Sequence, residues 1–281
     1  MYLRPHTLDE ALQTLNRGAR VLAGATDLLP AAGETGLVGS FVDVSRIAAL
    51  RGISREDDFL RIGGATTWSE IARAKLPPAF GALQGAAREI GAVQIQNRGT
   101  LAGNLCNASP AADGAPPLLI LDAEVELASP RGLRRLALPR FLLGARKTAL
   151  DADEILTAIL CPNPSPQGRS AFFKLGARRY LVISIAMVAV GLEIVDGAVR
   201  EARVAVGACS AVAVRLPAAE ARLTGAPVND ALGDLLLAED FTALAPIDDI
   251  RAGAEYRRAA ALELTRRAVQ ACVNNESGGV V

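Results

Sequence analysis

Two stretches of this chain concentrate small and hydrogen-bonding side chains, "LAGATDLL" at 22–29 and "NRGTLAGNLCNASPAAD" at 97–113. Neither can build a core. Gly24, Gly99 and Gly103 permit backbone conformations and a closeness of approach that other residues forbid. Thr26, Thr100, Asn104 and Asn107 add hydrogen-bonding groups on short side chains. Segments of this kind present backbone N–H groups to an anion, most often a phosphate. Two of them together could grip both phosphates of a dinucleotide, and a plain tight turn is the other reading of each. Neither is a GxGxxG turn and neither carries a P-loop lysine, so a Rossmann domain or an NTPase fits poorly.

Other chemistry is scarce. His6 is the single histidine, so no His-based metal site can form, and a Ser–His–Asp triad would have to draw on the N-terminal arm. Cys106, Cys161, Cys209 and Cys272 are widely separated, with no CxxC or CxxH, which argues against zinc, iron–sulfur and disulfide frameworks and for unpaired core thiols. Redox or group-transfer chemistry here would need a cofactor. With 30 basic and 30 acidic residues and 4% aromatics, the chain lacks a nucleic-acid footprint. No run is long enough for a membrane span, and the start "MYLRPHTLDE" lacks a signal-peptide core, so a cytoplasmic location is expected.

The elements that must hold the two stretches are legible in outline. Thr7 and Glu10 form a capping box before a helix carrying Leu8, Ala11, Leu12 and Leu15 on one face. Strands at 20–23 and 41–45 make a β-α-β opening. "FLRIGGATT" reads as a strand, and Thr67 with Glu70 as a second capping box ahead of "WSEIARA". A helix is expected over 79–90. "AEVELAS" pairs with "LRRLALP" across the 129–132 turn, and "PNPSPQG" reads as a linker. Asp196-Gly197 marks a hairpin between "ISIAMVAVGLEIV" and "AVREARVAVGAC". A helix is expected over 254–273, and "NNESGGVV" reads as a frayed tail.

These pieces, in this order, resemble the FAD-binding medium subunit of the molybdenum hydroxylases, the xanthine dehydrogenase and carbon monoxide dehydrogenase family. The resemblance runs from "YLRPHTLDEAL" through "LAGATDLLP", "IGGATTWSEI", "IGAVQIQNRGTLAGNLCNASPAADGAPPLLILDAEV", "KTALDADEILTAI" and "FFKLGARR" to "DDIRAGAEYRRAAALELTRRA". It implies an α+β fold. A two-lobed FAD-binding region of the vanillyl-alcohol-oxidase (PCMH) type, with lobes at 1–56 and 57–166, precedes a C-terminal domain of small antiparallel sheet plus helices at 167–281.

By the same resemblance, Val21, Leu22, Ala23, Gly24, Ala25, Thr26, Asp27 and Leu28 form one pyrophosphate clamp. Thr100, Leu101, Ala102, Gly103 and Asn104 form the other. Ile90 and Leu156 match apolar flavin-side positions. Asp113 matches a FAD-contacting acid, which nearby phosphates would repel and which should therefore accept bonds from ribityl or ring N–H groups. Lys174 matches a basic contact, with an outer salt bridge as the competing reading. The sequence departs from the usual paired glycines at Ala25 and Ala102, where a negative φ is expected. Gln96 stands where a basic residue is frequent, leaving Arg98 as the nearby cation.

The implied activity is electron transfer through non-covalent FAD. Electrons would come from [2Fe–2S] clusters of a small iron–sulfur subunit, fed by a molybdenum cofactor on a large subunit, in a dimer of heterotrimers. They would pass to NAD+, a quinone, O2 or another acceptor. A self-contained flavin oxidase and a FAD-less adaptor are the competing readings.

Overall fold

A computed structural model describes residues 1–15, 17–178, 180–275 and 278–280. Among them the strands form four sheets. The first region holds β1 (Tyr2–Leu3), α1 (Leu8–Leu15), β2 (Arg20–Leu22), α2 (Leu28–Ala32) and β3 (Phe41–Asp43). Its sheet is parallel in the order β1-β3-β2. The β-α-β opening is therefore present, and β1 is an addition, held as the Tyr2 hydroxyl and Arg4 converge on buried Asp43. Ala11, Leu12 and Leu15 of α1 are buried against Val42, Val44 and Ile47.

The second region contains β4 (Ile53–Arg55), β5 (Phe59–Gly63), α3 (Trp68–Arg73), α4 (Gly81–Glu89), α5 (Val93–Gln96), α6 (Leu101–Asn107) and α7 (Ala115–Ile120). There follow β6 (Glu124–Ser129), β7 (Gly132–Ala137), α8 (Leu138–Phe141), β8 (Leu142–Gly144), β9 (Lys147–Thr148) and β10 (Ile155–Pro162). Its antiparallel sheet has the order β4-β5-β10-β6-β7, and β8 and β9 form a separate hairpin. The helix starts are chemically marked. Thr67 accepts from the Glu70 N–H while Glu70 accepts from the Thr67 N–H, closing the box that begins α3.

The third region has β11 (Gly168–Leu175), β12 (Ala186–Val195), β13 (Ala198–Gly207), β14 (Val214–Arg215), α9 (Pro217–Leu223), α10 (Ala254–Val273) and β15 (Gly278–Val280). Its sheet runs β14-β13-β12-β11-β15. The β12–β13 turn uses left-handed Asp196 (φ 50°) and Gly197 (φ 77°), as the Asp-Gly pair requires. Alternation along these strands serves two cores. Ala171, Val188, Val190, Val204 and Val206 pack with Ala261, Leu264 and Ala268 of α10. Phe172, Met187, Ala189 and Ala205 join the core built on α4, α6 and α7. Each fully buried Val or Phe contributes about 1.5–3 kcal/mol, so both faces of the sheet are well secured.

The tail departs from the frayed reading. Gly278 and Gly279 pair in parallel with Phe172 and Phe173. A β-carbon on Gly278 (φ 86°) would fall on the Phe172 carbonyl, so position 278 requires glycine. Residues 276, 277 and 281 of the same stretch lie outside the described residues. No helix among the described residues is long and apolar enough to cross a membrane.

The Thr67 box holds the start of α3 against the 97–113 stretch. Thr67→Ala is expected to lower unfolding free energy by about 1 kcal/mol, read by denaturant titration, and an unchanged midpoint would contradict the role of the cap.

Candidate functional site

A cleft of about 860 Å³ opens between the first and second regions, within the range that holds large ligands. Its lining takes in residues 21–28, Ile90, Thr100, Ala102, Gly103, Asn104 and Leu156, so both small-residue stretches meet there. Leu101, Asp113 and Lys174 are not part of that lining.

The two stretches contribute differently from the symmetrical loops expected. Residues 23–27 form a true loop ahead of α2. Ala25 adopts a left-handed φ of 59°, against the negative value expected for a chiral residue. Alanine tolerates this because its side chain is the smallest, at a cost of about 1–2 kcal/mol. Among the described residues, no protein acceptor meets the N–H groups of Gly24, Ala25, Thr26 or Asp27. Consecutive unpaired N–H groups around a left-handed residue make a concave anion receptor.

The second stretch is a helix start rather than a glycine loop. Thr100 caps α6, its hydroxyl accepting the Gly103 N–H at 3.1 Å, while the Leu101 N–H donates to Thr66 O at 3.1 Å. The Asn104 N–H closes on Thr100 O. Of this first turn, the Ala102 N–H alone lacks an acceptor among the described residues. Ala102 is helical, so its departure from glycine is harmless.

The glycines have distinct roles. Gly24 faces protein: a β-carbon there would fall on the Arg98 carbonyl and within 2.8 Å of Gly99 Cα. Gly103 faces space: a β-carbon there would meet only Thr100 Oγ1, at 2.9 Å. Gly24 thus joins the two stretches, and Gly103 leaves room in the cleft. Leu101 is fully buried in the core beneath.

Asp113 and Lys174 correct the sequence reading most clearly. Lys174 Nζ lies 2.7 Å from Asp113 Oδ2, and Ser184 Oγ donates to Asp113 Oδ1 at 2.6 Å. All three side chains are buried. Both carboxylate oxygens are engaged within the protein, so Asp113 has no lone role facing the cleft. Lys174 does form a salt bridge, with Asp113 as its partner, but a buried one rather than the outer one expected.

Cations at the cleft come from elsewhere. Arg20 stacks over Phe41, its guanidinium carbon 4.7 Å from the ring centre. Arg146, on the β8–β9 turn, bonds the Asn107 carbonyl at 3.3 Å and the Asn107 side-chain oxygen. Among the described residues neither pairs with a carboxylate, so both charges stay available to an anion. Sequence reading passed over Arg146 because "GARKT" looks like an ordinary turn. Arg98, the expected cation, is exposed and outside the lining, though its carbonyl supports Gly24. Across the cleft Glu154 is gripped by Arg134 at 2.6 and 2.7 Å, and that guanidinium holds its carboxyl below the usual carboxylate range.

Cys106 also borders the cleft. Burial pushes its thiol up to about 12, which leaves it protonated and a poor nucleophile. Cys161, Cys209 and Cys272 are free and buried. Among the described residues no group of three or more His, Cys, Asp or Glu side chains could hold a metal ion.

Comparison with known proteins decides the family. Residues 1–164 match the family described as the FAD binding domain in molybdopterin dehydrogenase, and 171–272 match the CO dehydrogenase flavoprotein C-terminal domain. The chain belongs to the FAD-binding medium subunits of the molybdenum hydroxylases.

It is 35% identical to a xanthine dehydrogenase FAD-binding subunit of Escherichia coli O157:H7 over 291 residues, covering 99% of this chain and 97% of that one. It is 32% identical to the nicotine 6-hydroxylase medium subunit of Paenarthrobacter nicotinovorans, covering 95% of each. Reconstituted CO dehydrogenase from Oligotropha carboxidovorans contains a chain that superposes with a TM-score of 0.90 at 29% identity, covering 98% of this chain and 97% of that one. The fold is therefore α+β as expected, the cofactor is FAD, and the chain is an oxidoreductase subunit.

The medium subunit carries a strained residue at its loop, which gives a direct test. Ala25→Gly removes a left-handed cost of about 1–2 kcal/mol and adds about 0.5–1 kcal/mol of chain entropy, for a net gain of up to ~1.5 kcal/mol. Ala25→Val should instead lose more than about 1 kcal/mol, since a β-branched side chain fits this φ worst. Denaturant midpoints of the two variants should fall on opposite sides of the unsubstituted chain.

Proposed function

We propose that this chain is the electron-transfer subunit of a molybdenum hydroxylase complex and that FAD lies in the cleft between the first two regions. The carrying observation is the row of unpaired N–H groups at 24–27 facing the same space that Gly103 leaves open. Bound there, FAD would take up electrons singly and release them in pairs.

The residues fit such a group. Gly24, Ala25, Thr26 and Asp27 would offer backbone donors to the pyrophosphate, with the Ala102 N–H at the opposite wall. Asn104 has its Oδ1 engaged by the Gly114 N–H at 3.2 Å, leaving its amide N–H donors for the ligand. Arg20 and Arg146 would offset phosphate charge at the rim. Val21, Leu22, Ala23, Leu28, Ile90 and Leu156 would supply apolar wall against rings and exclude water. Attachment is non-covalent on this reading, since His6 does not line the cleft and the Cys106 thiol is protonated.

The division proposed is a first FAD-binding lobe at 1–56, a second at 57–166 and a C-terminal domain at 167–281, although β4 at 53–55 pairs with β5 of the second lobe. By analogy with relatives named as medium subunits or chains, the partners are a small subunit with [2Fe–2S] clusters and a large one with the molybdenum cofactor, assembled as a dimer of heterotrimers. The acceptor is NAD+, a quinone, O2 or a similar oxidant, and the setting is the cytoplasm.

Two outcomes test this. Gly103→Val should empty the chain of flavin while leaving its circular dichroism unchanged, because the added side chain enters the cleft; full flavin occupancy would remove Gly103 from the site. The isolated chain should be bleached by dithionite but not by the substrate of the complex, and adding the partner subunits should restore substrate-driven bleaching in stopped flow. Direct bleaching of the isolated chain by that substrate would replace the electron-transfer reading with an oxidase.

A further inference from the structure

Trp68 is the single tryptophan of the chain, 2% exposed; it borders the cleft and has no part in the chemistry above.

 Opposite ends of its indole meet two glycines. A β-carbon on Gly99 would sit 3.2 Å from Trp68 Cδ1, and one on Gly114 would sit 2.7 Å from Trp68 Cη2. The Trp68 backbone N–H also donates to Gly99 O at 3.1 Å, and Thr67 bridges Thr100 beside it.

Each glycine leads to a different wall of the cleft. Gly99 packs against Gly24 and Thr26 of the first stretch. Gly114 holds Asn104 of the second by donating its N–H to Asn104 Oδ1. The long axis of the indole therefore spans from the joint between the two stretches to the anchor of Asn104. At Gly114 the ring takes most of the volume a side chain would need, and at Gly99 it shares that volume with the Ile95 carbonyl.

Resting on the reading that FAD occupies this cleft, we propose that Trp68 is a positioning residue whose indole sets the separation of the two FAD-holding stretches. It acts through Gly99 and Gly114. Groups that hold a ligand must be supported to within about 0.5 Å, and a rigid bicyclic plate in a close-packed core provides that support.

Phenylalanine keeps the Gly99 end of the ring and withdraws the Gly114 end, which makes a matched pair of substitutions informative. Isothermal titration of flavin-stripped full-length chain with FAD, below the melting transition of every variant, reads the affinity. Trp68→Phe should raise Kd about tenfold, equivalent to ~1.4 kcal/mol. Gly114→Ala, whose β-carbon would meet Trp68 Cη2 at 2.7 Å and Asn104 Oδ1 at 2.9 Å, should also weaken binding. Combining the two refills the vacated volume and should recover at least half of the Trp68→Phe loss in log Kd.

A purely structural tryptophan would lower the melting temperature and leave Kd alone. Wild-type affinity in Trp68→Phe, or a double variant that binds no better than Trp68→Phe, would overturn the inference. Should Trp68→Phe fail to fold, Trp68→Tyr replaces it in both the single and the double variant, with the same outcomes. Failure of the unsubstituted chain to bind FAD would instead overturn the cofactor reading, and this inference with it.

Discussion

The cleft depends on two backbone segments meeting with no side chain between them. Gly24 rests directly on the Arg98–Gly99 peptide, so the separation of the two stretches is a backbone-to-backbone distance. Rotamer changes cannot adjust such a contact, which makes it stiffer than ordinary side-chain packing. One residue further on, Thr100 caps α6, and the Trp68 backbone N–H holds the Gly99 carbonyl. The loop at 24–27, the start of α6 and the start of α3 are thereby referred to one point. Any residue larger than glycine at position 24 would move all three.

Strain collects around the same cleft. Ala25, Ala108 and Arg146 all hold left-handed backbone, with φ of 59°, 45° and 59°. Such conformations cost about 1–3 kcal/mol each and last only where the surroundings over-determine them. Here they do: the Arg146 N–H donates to Ala108 O at 2.8 Å, so two strained residues brace each other across the end of α6. Ala25 is braced by its neighbour Gly24. A site shaped in advance spares the ligand the entropy of ordering it, which favours tight binding without covalent attachment.

How far the site could be read from sequence follows from what local chemistry reveals. Residues 21–28 were legible as a loop at a strand end, because a run of small side chains there either turns the chain or leaves space beside it. The same logic misread 100–104 as a loop, since a Thr-capped helix start with Gly103 in its first turn has a similar composition. The Thr67 box and the Asp196-Gly197 turn were legible because each is specified within four residues. The ends of long-range pairs were not. Asp113 and Lys174 lie 61 positions apart, and nothing local in either says that the other fills its hydrogen bonds. The volume conflict of Trp68 with Gly99 and Gly114 is equally invisible until the chain is folded.

The Asp113–Lys174 pair also bears on how the regions cohere. Burying an ion pair carries a desolvation cost that its attraction need not exceed, so it is weak evidence of added stability. Its placement is more informative. Asp113 follows α6, Lys174 lies on β11, and Ser184 precedes β12, so the pair fastens the stretch behind the cleft to the C-terminal sheet. Phe172, Met187, Ala189 and Ala205 of that sheet lie in the same core as α4, α6 and α7. The two family matches at 1–164 and 171–272 therefore divide the sequence without dividing the core. Removing either charge would strand the other in that core at about 3–5 kcal/mol, a penalty that ties Gly114, and with it Asn104, to the position of a sheet the cleft never touches.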